Sequence, residues 1–213
     1  TGNVKLLTFN TVNQFLLGLK AEQTSVEAIQ YLQDGKKPVI AIANTMESIF
    51  TNIKKNYIDN ISYEIGDIVE DDLRLIFPYL WDYCFKYKEY KKEMVPDENG
   101  VPEEKWVPKE YHLIHNCSAT FMSLRMELLP LYTSVMRRFE NCNSIGTPLS
   151  PIDKIISNIQ SRGFSVGEVT GRKRKLVYDS NGVAKLQTRK VANVTDTIRD
   201  FNFNEKDALV LNR

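Results

Sequence analysis

Residues 147–175 read T-P-L-S-P-I-D-K-I-I-S-N-I-Q-S-R-G-F-S-V-G-E-V-T-G-R-K-R-K, and the rest of the chain is placed relative to them. Ser150 suits an N-cap, Pro151 suits the first helical position, where an N–H would have no partner, and Asp153 completes an S-x-x-D capping pattern. Ile152, Ile155, Ile156 and Ile159 recur at i, i+3, i+4 and i+7, one face of a helix that Gly163 closes. Residues 164–169 follow as a short strand, which ends in Thr170-Gly171-Arg172 and runs on into Lys173, Arg174 and Lys175. A helix feeding a strand whose far end carries a glycine and four consecutive basic residues predicts an anion-facing edge of an α/β sheet.

Upstream, residues 38–43 (P-V-I-A-I-A) are a continuous apolar run of strand length, the pattern of a strand buried on both faces of a parallel sheet. A T-x-x-E capping box at Thr24 and Glu27 opens a helix before it, with Val26, Ile29 and Leu32 inward and Gly35 at its end; residues 1–23 are a polar lead-in that packs locally. After it, Asn44 and Glu47 cap a helix carrying Met46, Ile49, Phe50 and Ile53. Downstream, Ser180-Asn181-Gly182 signals a hairpin within residues 175–189, Asn193 and Asp196 cap a helix bearing Val194, Ile198 and Phe201, and residues 208–211 form a last strand. Strands 39–43, 165–169 and 208–211 are expected to lie parallel in one sheet, giving an α/β lobe.

Between these parts the pattern changes. Three segments are predicted: residues 1–55 as the first part of the lobe, 56–146 as a mostly helical insertion, and 147–213 as the second part. Within the insertion, residues 73–87 and 117–139 are helical and aromatic-rich, and they flank a charged, proline-punctuated stretch over 86–110 that reads as a solvated loop or long hairpin.

The 213 residues suit one domain with a large insertion or two small domains, and the first is preferred. With 42% apolar and 26% charged residues and a net charge of +1, no global field points to a partner, so any nucleic-acid footprint is local, at residues 172–175. Three scattered cysteines (Cys84, Cys117, Cys142) and no signal-peptide or membrane-spanning pattern predict an intracellular protein without membrane contact.

Four pieces in this order resemble one family: G-K-K-P-V-I-A-I-A-N-T-M-E-S at 35–48, P-L-S-P-I-D-K-I-I at 148–156, E-V-T-G-R-K-R-K-L-V at 168–177, and the closing F-N-F-N-E-K-D-A-L-V-L-N-R. They are similar to the C-terminal helicase-like domain of strawberry notch proteins and of related bacterial and phage superfamily-two helicases, the first piece resembling helicase motif IV. The resemblance covers about the first fifty and last seventy residues. It implies the second of two RecA-like lobes of the P-loop NTPase kind in an ATP-driven nucleic-acid motor. It also implies ATP and magnesium bound mainly by an N-terminal RecA-like lobe of the same polypeptide, and a bacterial or phage cytoplasm, or a nucleus if eukaryotic. This chain has no G-x-x-x-x-G-K-[ST] loop and no acidic D-E strand end, and it ends where the family continues into motifs V and VI, so it is expected not to hydrolyse ATP alone.

The residues expected to touch a DNA or RNA backbone are Asn44, Thr45, Thr170, Gly171, Arg172, Lys173 and Arg174, each at or just after the carboxyl end of a strand. No catalytic group and no metal ligand is assigned. Set against that reading, the basic run serves equally as a solvated lead into a hairpin, Glu47 as a capping carboxylate, and Glu168 as the partner of a neighbouring base. His112, His115 and Cys117 form H-x-x-H-x-C, a zinc-like spacing with Cys84 or Cys142 as fourth ligand, but without a second paired motif the structural role is favoured. A different class of function, a non-catalytic module whose aromatic insertion binds another protein, competes with the motor lobe.

Overall fold

A computed structural model describes residues 2–43, 45, 50, 54–56, 61–98 and 100–212. In chain order its elements are α1 (Gly2–Gln33), β1 (Val39–Ile42), β2 (Lys54–Asn56), β3 (Ile61–Ser62), β4 (Ile68–Val69), α2 (Ile76–Tyr83), β5 (Lys86–Pro96), β6 (Pro102–His112), α3 (Met122–Glu140), α4 (Pro151–Gln160), β7 (Val166–Val169), β8 (Arg174–Tyr178), β9 (Ala184–Thr188), α5 (Val194–Asn202) and β10 (Ala208–Asn212). The chain divides into two compact units, residues 1–79 with 143–213, and residues 80–142.

The larger unit is mixed α/β around a three-stranded parallel sheet of order β1-β10-β7. Val39 aligns with Leu209 and Ile42 with Asn212, while Ala208 aligns with Val166 and Leu211 with Val169, so the three expected strands are parallel as predicted. The expectation that β1 is buried on both faces is corrected: among the described residues β1 pairs with β10 alone, and Val39 is 52% exposed. The last strand, β10, holds the centre, with Ala208, Leu209 and Val210 buried.

The expected lead-in and the separately capped helix are one 32-residue helix, α1, with Thr24 and Glu27 in its interior. Its described buried residues, Thr11, Gln14, Gly18, Ala21, Ser25, Ala28 and Leu32, advance by alternating steps of three and four, which is one helix face. That face is small, so α1 lies close to its neighbours; a Cβ on Gly18 would run into the Thr147 side chain. Ala21, Ala28 and Leu32 pack with Ile155 and Ile159 of α4 and Ala208 of β10. Val26, expected inward, is half exposed because it falls on the opposite face. The helix expected from Asn44 lies outside the described residues, apart from Thr45 and Phe50.

A second sheet, β4-β9-β8, is antiparallel. The predicted hairpin is present, with Leu176 opposite Leu186 and both buried. Gly182 turns it at φ 78, and Asp179 accepts from the Asn181 and Val183 N–H groups. In α5 the Asn193 carboxamide oxygen caps the Thr195 N–H as expected. Thr197, rather than Val194 or Ile198, is the buried residue of that helix. Two passes of chain are tied together beside this sheet: Asp72 accepts from Ser144 Oγ and Ile145 N, Asp71 accepts from Leu149 N, and Leu73 N donates to the Thr147 carbonyl.

Residues 61–79, placed in the insertion by sequence, belong to the larger unit, because β4 pairs with β9. The smaller unit, residues 80–142, is not mostly helical: two 11-residue strands, β5 and β6, form one antiparallel hairpin alongside α3. Lysines and glutamates face each other across it, as in Lys88–Glu110 and Lys92–Glu104, which explains the charged composition over 86–110. No helix among the described residues is long and apolar enough to cross a membrane.

Candidate functional site

The chain leaves β7 through Thr170, Gly171, Arg172 and Lys173 before starting β8. Arg172, expected to face a ligand's phosphates, turns inward instead and is 1% exposed. Its Nη2 lies 2.6 Å from Asp153 Oδ1, and its Nε donates to Glu168 Oε1 at 2.7 Å. A guanidinium taken out of water needs such countercharge, and two carboxylates supply it. Arg172 is therefore withdrawn from the contact set. Its rigid fork serves as a strut between α4, which carries Asp153 in its first turn, and β7, which carries Glu168.

The strut is part of a wider network. Arg189 reaches Glu168 Oε2 at 3.0 Å and donates to the carbonyls of Glu168, Thr170 and Arg172. Asp153 Oδ2 accepts from Ser150 Oγ at 2.6 Å and from the Leu176 N–H at 2.7 Å. The S-x-x-D pattern thus starts a helix, but its carboxylate is spent on β8 and Arg172, and the Ser150 hydroxyl bonds that carboxylate rather than the helix backbone. Burial alone would push the Glu168 carboxyl up; the hydrogen bonds and charge of Arg172, helped by Thr170 and Arg189, hold it below the usual carboxylate range.

The remaining expected contacts divide. Thr170 is buried and its hydroxyl donates to Glu168, which removes it from the contact set as well. Gly171 and Lys173 are exposed. Arg174 is half-buried, and its Nη1 donates to the Phe50 carbonyl at 3.0 Å, linking the basic run to the segment after β1. Thr45 is half-buried in that same segment, and Asn44 lies outside the described residues. The parallel register brings the carboxyl ends of β1, β10 and β7 to one edge of the sheet.

A cleft of about 550 Å³ opens beside β7, with Asp153, Glu168 and Arg172 among the residues lining it and Lys175, Lys190 and Lys206 also contributing. Sequence reading missed it, since its walls come from α4, β7, the β8–β9 hairpin and α5. The spacing of Glu168 and Arg172, four residues apart, was the available signal.

In the smaller unit, His112 and His115 do converge, but on Asp82 and Tyr132 rather than on a cysteine. His112 Nε2 is 3.0 Å and His115 Nε2 is 3.3 Å from Asp82 Oδ1, to which the Tyr132 hydroxyl donates at 2.8 Å. The Nδ1 of His112 accepts from the backbone N–H of Ile114 and of His115, so its ring proton sits on Nε2, pointing at Asp82. In that tautomer His112 is engaged at both nitrogens, while Asp82, His112 and His115 bring one possible ligand atom each within 4.8 Å of one another, a set that contains no cysteine.

Burial pushes the Asp82 carboxyl up, but the hydrogen bonds of His112 and Tyr132 outweigh it and bring it down to about 2. A carboxyl depressed on folding stabilises above its unfolded value of about 4 and loses that contribution as pH falls through its folded value. The smaller unit is therefore expected to weaken between about pH 4 and pH 2, and Asp82→Asn should remove that part of the dependence. Fluorescence of Trp81 and Trp106, both in this unit, reads it during urea unfolding at stepped pH.

Comparison of the chain with protein-family models, with curated proteins and with solved structures finds no match.

Proposed function

We propose that this chain is the C-terminal, second RecA-like lobe of an ATP-dependent nucleic-acid helicase or translocase, supplying backbone contacts and one side of the ATP cleft. The observation that carries this reading is the parallel register of β1, β10 and β7, from whose shared edge the segments bearing Thr45 and Lys173-Arg174 emerge. Ligands of open parallel sheets sit outside that edge. Contacts to phosphate hold a strand without reading its sequence, as a translocating motor requires. The contact set is Thr45, Gly171, Lys173 and Arg174, with Arg172 behind them holding the loop in place.

Magnesium does not fit this edge. Glu168 is committed to Arg172 and Arg189, so no step is assigned to a metal or to ATP on this chain, and both belong to the first lobe in this reading. A second reading, a protein-binding module, is favoured by one observation: Phe9, Val12, Leu16 and Leu19 form an exposed apolar stripe along α1, at steps of three and four.

The experiment is fluorescence anisotropy with labelled single strands of two unrelated sequences at low salt. The motor reading expects both to bind with indistinguishable affinity. Absence of binding to either, or a strong preference for one, contradicts it and leaves the protein-binding module.

A further inference from the structure

Helix α1 carries two stripes on opposite faces. Thr11, Gln14, Gly18, Ala21, Ser25 and Ala28 are buried, while the residues two places before each of them, Phe9, Val12, Leu16, Leu19, Gln23 and Val26, are all exposed. Two residues turn a helix by about 200°, so the exposed stripe lies on the side away from α4 and the sheet. All but Gln23 of its side chains are apolar. They follow one another at alternating steps of three and four, the a and d spacing of a coiled-coil seam. A surface helix that only covers its own core carries polar residues on its outer face. The spacing therefore calls for another helix lying along the stripe.

We propose that the chain pairs with a second copy of itself through α1, the two helices antiparallel along the stripe from Phe9 to Val26. The stripe complements itself in that direction. With the two-fold axis between Leu16 and Leu19, Leu16 of one copy faces Leu19 of the other, Val12 faces Gln23, and the bulk of Phe9 meets the smaller Val26. Charge selects the same direction. A parallel pair sets Glu22 against Glu27 of the second copy, two exposed carboxylates flanking the seam, whereas the antiparallel pair sets Glu22 near Phe15 and Lys20 near Asn13. The area suffices as well. About half of each apolar side chain in the stripe is exposed, and Phe15 adds to it. Each copy so offers roughly 500 Å² of apolar surface, and two copies reach the ~1,000 Å² expected of a specific interface. The inference goes beyond the motor reading and does not rest on it, because strand binding tests that reading and oligomeric state tests this one.

The test is sedimentation equilibrium of the full chain. A dimer is expected at about 100 µM, dissociating on dilution, as for an interface at the small end of the range. Leu16→Lys with Leu19→Lys sets like charges across the axis and should be monomeric at that concentration, with the helical circular dichroism of the parent because both positions are exposed. Leu16→Glu with Leu19→Lys sets opposite charges across the axis and should pair at least about tenfold more tightly than the double-lysine variant. A parent that stays monomeric at about 100 µM overturns the proposal, as does a double-lysine variant that dimerises like the parent. Equal affinities for the two double variants overturn it too, because Leu16 would then not face Leu19 of the second copy.

Discussion

Replacing Arg172 with alanine is expected to destabilise the larger unit by about 3–5 kcal/mol, the range for removing one partner of a buried ion pair. The size follows from what remains. Asp153 is 4% exposed and the Glu168 side chain 11%; Asp153 would lose the guanidinium that offsets its desolvation, and Glu168 would keep Arg189 alone. Lys173→Ala, one residue along and exposed, should stay within about 0.5 kcal/mol of the parent. Acid distinguishes this mechanism from simple loss of packing. Uncompensated buried carboxylates titrate above their unfolded values, so protonation relieves them, and the deficit of the Arg172 variant should shrink as pH falls through the carboxylate range. Urea unfolding of both variants, followed by circular dichroism at pH 7 and pH 4, reads the effect. An Arg172 variant as stable as the Lys173 variant would contradict the buried strut.

Ile155→Ala is expected to cost about 2–5 kcal/mol, as for other fully buried aliphatic side chains cut back to alanine. Ile155 has no exposed surface and packs with Ile159, Ala21, Ala28, Leu32 and Ala208, where α1 and α4 meet the sheet. Two of its neighbours from α1, Ala21 and Ala28, are too small to swing in and fill the space. Ile156→Ala, on the same helix but only half-buried, should cost less. The comparison of the two in urea tests whether α1 covers α4.

How much of the fold and site is legible in the sequence depends on the kind of signal. β1 and β10 can be read because each is a short apolar run, β7 because it follows a helix that Gly163 closes, and the hairpin because Asn181-Gly182 has few other uses. The single helix α1 escapes notice because the face it buries is made of Thr11, Gln14, Gly18, Ala21 and Ser25, which hydropathy scores as surface. Four basic residues in a row likewise look alike. Glu168, four residues earlier, and Asp153, distant in sequence but near in space, together decide that Arg172 turns in while Lys173 stays out. The two histidines are visible as a pair, yet their partner Asp82 is some thirty residues earlier and arrives through the register that sets Lys86 opposite His112. Long-range pairing of single side chains is what local periodicity does not carry.

In the proposed motor lobe, exposed Lys173 and half-buried Arg174, at the carboxyl edge of the parallel sheet, hold a nucleic-acid backbone. The most direct test of this is the salt dependence of single-strand binding for the parent, for Lys173→Ala with Arg174→Ala, and for Lys91→Ala with Lys92→Ala on the β5 strand. Removing one cation that neutralises a phosphate should flatten the plot of log affinity against log salt by roughly one unit. The account predicts a slope flatter by roughly two units for the Lys173 and Arg174 pair, and a slope unchanged for the Lys91 and Lys92 pair. A parent-like slope in the Lys173 and Arg174 variant would contradict it.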